Sequence, residues 1–324
     1  MTSDFRGRVV ILDGGYESYA VEEDLIGSAG FALERFMGED GDTEGKLAFA
    51  AGAVGAFVRW TEFDDDAFVR LPELKCLLRY GIGYDNIDIP AATARGVKVC
   101  NVQGYASHAV TDHALALIFG CVRGLSMAPR QVCENFVSPP RNDLPEVKDL
   151  TLGVVGVGRI GGTLCTRAKG LFARVIACDP YVSPERFAEV GAESVDFETL
   201  VREADVISLH CNLTEETRDL IDAEAIANTR RDAVLINTSR GPVVVEEPLL
   251  DALNEGRLFA AGLDVFRDEP PTEKQRALID HERVIATGHY AWFSTVSHET
   301  LQRKASENMA AMLNGETPED CLNP

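Results

Sequence analysis

The chain has 324 residues, 45% hydrophobic and 26% charged, enough for two domains that each bury a core. Its formal charge of −21 argues against nucleic acid or an anionic membrane as partner, because both would be repelled. An anionic small molecule would need positive charge concentrated at its own site.

The first strand-like run is Val9–Leu12, and the segment Met1–Val10 carries charges and no apolar signal core, so a cytoplasmic protein is expected. Further short apolar runs at Leu47–Ala51, Ala56–Val58, Leu74–Leu78 and Val97–Val102 read as strands. Helix-compatible stretches, Asp64–Arg70 and Ile89–Ala94, lie between them. The alternation predicts a parallel sheet flanked by helices. Ser107–Met127 then reads as one long helix rich in Ala and Leu. It is apolar around most of its surface, hence expected between domains or against a second subunit. No apolar run reaches membrane-spanning length, and a loop is expected at Ser138–Asp143.

The second half alternates more clearly. Thr151–Val155, Val175–Cys178, Val206–His210, Val234–Thr238, Ala260–Val265 and Val284–Ala286 read as six strands with helices between them, which fits a doubly wound sheet. A final helix, Val296–Leu313, is expected to return to the first domain. The expected fold is thus α/β with two domains and a cleft between them, residues 1–102 plus 294–324 and residues 103–293. The eight cysteines form no C-x-x-C pair and sit at no metal-ligand spacing from a histidine, so reduced thiols and no metal are expected.

Thr151–Val155 runs directly into Gly156-Val157-Gly158-Arg159-Ile160-Gly161, followed by a helical stretch. Gly156 would allow the tight turn, Gly158 the approach of a pyrophosphate to the backbone, and Gly161 close helix–strand packing. The helix N-terminus offers N–H groups to the phosphates. The next strand ends in Asp179, near the spacing at which an acid accepts hydrogen bonds from the adenosine ribose. A carboxylate there repels a 2′-phosphate and no Arg follows in Pro180-Tyr181-Val182, so NAD is expected rather than NADP.

Three later segments place polar residues at strand ends, where open α/β sheets bind ligands. They are Asn237–Gly241, Gly262–Pro270 and Thr287–Trp292, and they supply Arg240, Glu269 and His289. Together with Tyr80-Gly81-Ile82-Gly83-Tyr84-Asp85-Asn86-Ile87-Asp88, Thr111–Leu117, the glycine motif, and Leu213-Thr214 with Thr217, they make the chain resemble the D-isomer-specific 2-hydroxyacid dehydrogenase family. The resemblance covers nearly the whole chain. It implies a flavodoxin-like substrate domain beside a Rossmann NAD-binding domain, a homodimer, and interconversion of a small 2-keto acid with the D-2-hydroxy acid.

Carried over by motif, Arg240, Glu269 and His289 match the family's catalytic triad. Hydride transfer leaves negative charge on the carbonyl oxygen, so a proton donor is needed beside it. Histidine titrates near neutrality and suits that task. Glu269 would hold the other ring nitrogen and favour the imidazolium, while the planar guanidinium of Arg240 would clamp the substrate carboxylate. The resemblance also implies a backbone cradle for that carboxylate at Tyr80, Gly81, Ile82 and Gly83, with Trp292 as a pocket wall. Beyond the glycines and Asp179, it implies cofactor contacts from Arg159, Ile160, His210, Thr217, Thr238, Ser239, Arg240, Asp264 and His289, Asp264 meeting the nicotinamide carboxamide. Arg59, Tyr80 and Trp292 are candidate specificity residues, and His108, His113, His281 and His298 are expected to have no chemical role. Gly288, Gln103 and Asn212 depart from the family's usual prolines. An NAD(H)-sensing binding protein on the same fold is the alternative reading.

Overall fold

A computed structural model describes residues 5–134, 136 and 143–324; apart from Asp143, the loop expected at 138–143 lies outside the described residues. The chain divides into two compact units, one taking it up to Tyr105 together with Ser294–Pro324, the other Ala106–Phe293.

The first unit runs β1 (Arg8–Ile11), α1 (Ala20–Ser28), β2 (Ala32–Arg35), α2 (Thr43–Ala50), β3 (Gly55–Val58), α3 (Asp65–Arg70), β4 (Cys76–Arg79), α4 (Ile89–Ala94) and β5 (Lys98–Cys100). Its strands are all parallel in the order β2-β1-β3-β4-β5, the flavodoxin-like order. Val10, Val58, Leu77 and Val99 bury one face with Phe63 and Phe68. The apolar run at Leu47–Ala51, expected as a strand, belongs instead to helix α2. The Asp42 carboxylate accepts the Gly45 N–H at 2.8 Å and caps it, and Leu47 and Ala50 reach the core at helical spacing. A short apolar run suits either period, and the cap decides between them. Strand β2 gave no sequence signal because it is an edge strand whose Glu34 and Arg35 are exposed.

The second unit runs α5 (Ser107–Val122), α6 (Ala128–Glu134), β6 (Thr151–Val155), α7 (Arg159–Ala168), β7 (Arg174–Cys178), α8 (Pro184–Val190), β8 (Glu193–Ser194), α9 (Phe197–Glu203), β9 (Val206–Leu209), α10 (Ala223–Asn228), β10 (Ala233–Asn237), α11 (Glu246–Asn254), β11 (Leu258–Leu263), α12 (Glu273–Ile279) and β12 (Val284–Ala286). The seven strands are parallel in the order β12-β11-β10-β9-β6-β7-β8. This is the doubly wound Rossmann arrangement with one strand added beyond the usual six. Strands β6, β9, β10 and β11 are buried along their whole length, as helices on both faces require.

Helix α5 stops at Val122, short of the expected Met127, and Gly124 (φ 63°) turns the chain just beyond. Its apolar side lies on the sheet of its own unit, against β10, β11 and α7. Gly262 makes room for it, since a Cβ there would sit 2.9 Å from Leu117 Cβ.

The chain then re-enters the first unit as α13 (Thr295–Leu313), which packs on α1 and β4. Ser294 caps it by accepting the Ser297 N–H at 3.1 Å. Among the described residues no helix is long and apolar enough to cross a membrane.

Candidate active site

The turn after β6 is built to keep side chains out. Gly156 has φ 91°, and a Cβ there would lie 2.8 Å from the Cys211 N atom; one on Gly161 would lie 1.9 Å from the Gly156 carbonyl oxygen. Gly158 meets no protein atom within 4 Å, so its side of the turn is open. Helix α7 starts there with no side-chain cap, and Arg159 and Ile160 form its first turn. Asp179 follows β7. One of its carboxylate oxygens accepts the Val157 N–H at 2.8 Å and the other the Tyr181 N–H at 3.0 Å, which ties the acid to the glycine turn. The Tyr181 hydroxyl donates to Glu216. Thr217 shapes the facing loop, its hydroxyl donating to the Asn212 carbonyl at 2.6 Å and accepting the Thr214 N–H at 2.8 Å.

Two buried polar atoms at the ends of neighbouring strands β9 and β10 have no partner among the described residues: His210 Nδ1, whose residue abuts Gly156, and Thr238 Oγ1. Burial drives the His210 pKa down to about 4, so the ring is neutral, with Nε2 2.8 Å from Ser208 Oγ. Buried polar groups almost always have partners. Two orphans at the ends of β9 and β10, on the same sheet as an open glycine turn and a tethered carboxylate, therefore fit a bound dinucleotide.

The ends of adjacent strands β10, β11 and β12 bring the other three segments together. Asn237, fully buried, accepts the Ser239 N–H at 3.0 Å and donates to the Arg240 carbonyl at 2.9 Å, closing a turn that presents Arg240. Gly241 presses this turn onto the next, since a Cβ on it would lie 1.8 Å from the Phe266 carbonyl oxygen. Glu269 Oε1 accepts the Phe266 N–H at 3.1 Å, and Oε2 lies 2.5 Å from His289 Nδ1. His289 itself has φ 53°, a conformation uncommon for a residue with a side chain.

The backbone of that loop is over-determined. The His289 N–H donates to the Asp264 carbonyl at 2.7 Å, and Trp292 Nε1 donates to the His289 carbonyl at 3.0 Å. The buried Asp264 carboxylate accepts from Thr287 Oγ1 at 2.6 Å, Ala291 N at 2.9 Å and Tyr290 N at 3.1 Å. Asp264 is therefore committed to holding the histidine loop. His113, read from sequence as inert, reaches from α5 to within 3.0 Å of Thr287 Oγ1 and lies edge-on to Tyr290. Its contact with Thr287, 174 residues and seven strands further along the chain, gave no signal, although its segment, Thr111–Leu117, did.

In the first unit Gly81 has φ 132°. Its carbonyl accepts the Val102 N–H at 2.9 Å, and the Ile82 carbonyl accepts Asn101 Nδ2 at 2.6 Å, so the Gly81-Ile82-Gly83 backbone is pinned from below. The Tyr80 side chain is spent elsewhere. It is buried, stacks on Phe57 with centroids 5.1 Å apart, and donates its hydroxyl to Glu22 at 2.9 Å, which leaves only its backbone for a ligand. Arg59 lies over the Trp60 ring at 4.8 Å. The sequence reading missed what holds it: buried Asp13 accepts the backbone N–H groups of Arg59, Trp60 and Thr61 at 2.6, 2.8 and 2.9 Å, and is itself paired with buried Lys46 at 2.7 Å. Gln103, where the family favours proline, uses its N–H to donate to Asp320 at 3.1 Å, a bond proline cannot make.

The family described as D-isomer specific 2-hydroxyacid dehydrogenase, NAD binding domain, matches residues 115–291. The chain is 36% identical over 286 residues to a D-3-phosphoglycerate dehydrogenase of Mycobacterium leprae, covering 88% of this chain and 54% of that protein. It therefore spans about half the length of the phosphoglycerate dehydrogenases it matches. It is 38% identical over 267 residues to a glyoxylate reductase of Korarchaeum cryptofilum, covering 80% and 79%. In fold it is similar to D-lactate dehydrogenase of Aquifex aeolicus, solved with NAD and lactic acid, with a TM-score of 0.87 at 23% identity over 98% of this chain and 99% of that one.

Proposed function

The chain belongs to the D-isomer specific 2-hydroxyacid dehydrogenase family, whose matched domain binds NAD, and from that premise we propose that it interconverts a small 2-keto acid and a D-2-hydroxy acid. The observation that carries this reading is the 2.5 Å contact between His289 Nδ1 and Glu269 Oε2, set beside the Arg240 turn. The glycine turn, Asp179 and the orphaned atoms of His210 and Thr238 would hold NADH, which would supply the hydride. His289, oriented by Glu269, gives a proton from Nε2 to the substrate oxygen as negative charge develops there; in the reverse direction it takes that proton back. Arg240 binds the substrate carboxylate through paired N–H groups and supplies positive charge locally against the chain's net −21. The family resemblance assigns a second carboxylate support to the pinned Gly81-Ile82-Gly83 backbone and a part in specificity to Arg59 and Trp292.

The test is turnover of glyoxylate, hydroxypyruvate and pyruvate with NADH. We expect His289→Ala to lower turnover by about 10²–10⁴-fold while NADH still binds. No turnover of any 2-keto acid in a broad panel overturns the proposal. A homodimer belongs to the same reading: Phe119, Leu125 and Val132 leave apolar surface exposed at and beyond the end of α5, and sedimentation of the purified protein decides it.

A further inference from the structure

We propose that Cys100 and Cys321 are a disulfide-forming pair, a modification site that staples the C-terminal segment to the edge of the first unit's sheet. Strand β5 is the outer strand of that sheet, and the end of the chain runs along it in the opposite direction. Leu322 N donates to the Val99 carbonyl at 2.8 Å and Asn101 N to the Asp320 carbonyl at 3.4 Å, with Cys100 and Cys321 paired between them. Bonds that flank a pair rather than join it mark the close, non-hydrogen-bonded kind of antiparallel pair, with Cα atoms about 4.5 Å apart. Disulfides span Cα separations of about 4.4–6.8 Å, so this pair is within bonding reach.

Register excludes the other nearby thiol as the partner. Cys76 on β4 lies opposite Lys98, whereas Cys100 lies opposite Leu78. Cys76 and Cys100 are therefore diagonal neighbours, about 7–8 Å apart, beyond the Cβ separation a disulfide accepts.

The two sulfurs also differ in access. Cys100 is fully buried and Cys321 partly exposed, and burial pushes the Cys100 thiol well above the usual range. A peroxide therefore meets Cys321 first. The Cys321 thiolate attacks one peroxide oxygen, the O–O bond breaks, and water leaves to give a sulfenic acid. The Cys100 sulfur then attacks the Cys321 sulfur, the S–O bond breaks, and a second water carries off the Cys100 proton. Two thiols are oxidised by two electrons, and one hydrogen peroxide is reduced to two waters. The bond closes residues 101–320 into a loop and fixes neighbouring Asp320, whose carboxylate accepts the Gln103 N–H.

The experiment treats the full chain with hydrogen peroxide, then blocks remaining thiols after unfolding and maps the peptides. We expect a mass loss of two hydrogens, a fall from eight free thiols to six, a cross-linked peptide pair carrying Cys100 and Cys321, and a thermal midpoint above that of the reduced protein. C321S should lose the cross-link and the gain in midpoint, while C76S and C133S keep both. A disulfide mapped to another pair overturns the assignment, as does Cys321 recovered as sulfinic acid beside a free Cys100. An oxidised midpoint at or below the reduced one overturns the stapling.

Discussion

Asp264→Asn isolates what holds the histidine loop. The side chain keeps its shape, but one of its two acceptor oxygens becomes an N–H₂ donor. If the remaining oxygen stays with Thr287 and Tyr290, the Ala291 N–H at 2.9 Å faces another donor. A hydrogen bond to a charged group contributes about 1.5–3 kcal/mol, and a buried donor left without an acceptor carries its own penalty. The loss should be about 2–3 kcal/mol. For a unit of this size that is a fall of roughly 4–10 °C in thermal midpoint. Because His289 sits at φ 53° on this support, its ring should also lose its setting, and a displacement near 1 Å costs about 10²-fold in rate. Calorimetry and steady-state turnover of the same preparation read both quantities. A variant with the parent's midpoint and turnover would refute the idea that Asp264 holds the loop.

Other outcomes follow from the same geometry. The folded chain keeps His210 neutral down to about pH 4, whereas the unfolded chain binds a proton near pH 6.5. Stability from this residue is complete above pH 6.5 and is lost as pH falls from there towards 4, by up to about 3 kcal/mol. The thermal midpoint of H210N should therefore fall less steeply between pH 7 and 5 than the parent's, and parallel curves contradict this. Gly158→Ala meets no protein atom and Gly161→Ala meets the Gly156 carbonyl at 1.9 Å. G158A should fold normally yet bind NADH at least about tenfold more weakly, whereas G161A should also lose about 1–3 kcal/mol of stability; equal midpoints would count against the reading. Arg240→Lys should lower kcat/KM for a 2-keto acid by roughly 10²-fold, the loss of one charged hydrogen bond of a bidentate pair. Unchanged kinetics would remove Arg240 from the site.

Much of the fold was legible because a parallel sheet covered on both faces writes its strands as short, uniformly apolar runs. The glycine motif was legible for a different reason: two of its three positions are blocked by named backbone atoms, and the third opens onto free space. What stayed hidden lacks such periodicity. Leu47–Ala50 could follow either period until the Asp42 cap chose the helix. Strand β2 is polar because it lies at an edge. Supporting contacts within each unit, Asp13 with Lys46 beneath Arg59 in the first and His113 beneath Thr287 in the second, join residues far apart in the chain, and a lone buried charge or histidine carries no mark of its partner. Tyr80 shows the converse: its motif points to a ligand, while its ring belongs to the core.

The return of α13 to the first unit has a consequence for how the protein is made. The second unit is a continuous stretch, so all its contacts are available once residue 293 has left the ribosome. The first unit starts earlier but finishes last. Met309 must arrive to cover Gly55, where a Cβ would lie 3.0 Å from its sulfur, and Leu322 must arrive to pair with β5. The strands translated first thus wait with part of their apolar surface and one sheet edge open, and their unpaired interval is set by the time needed to synthesise the nucleotide-binding unit between them.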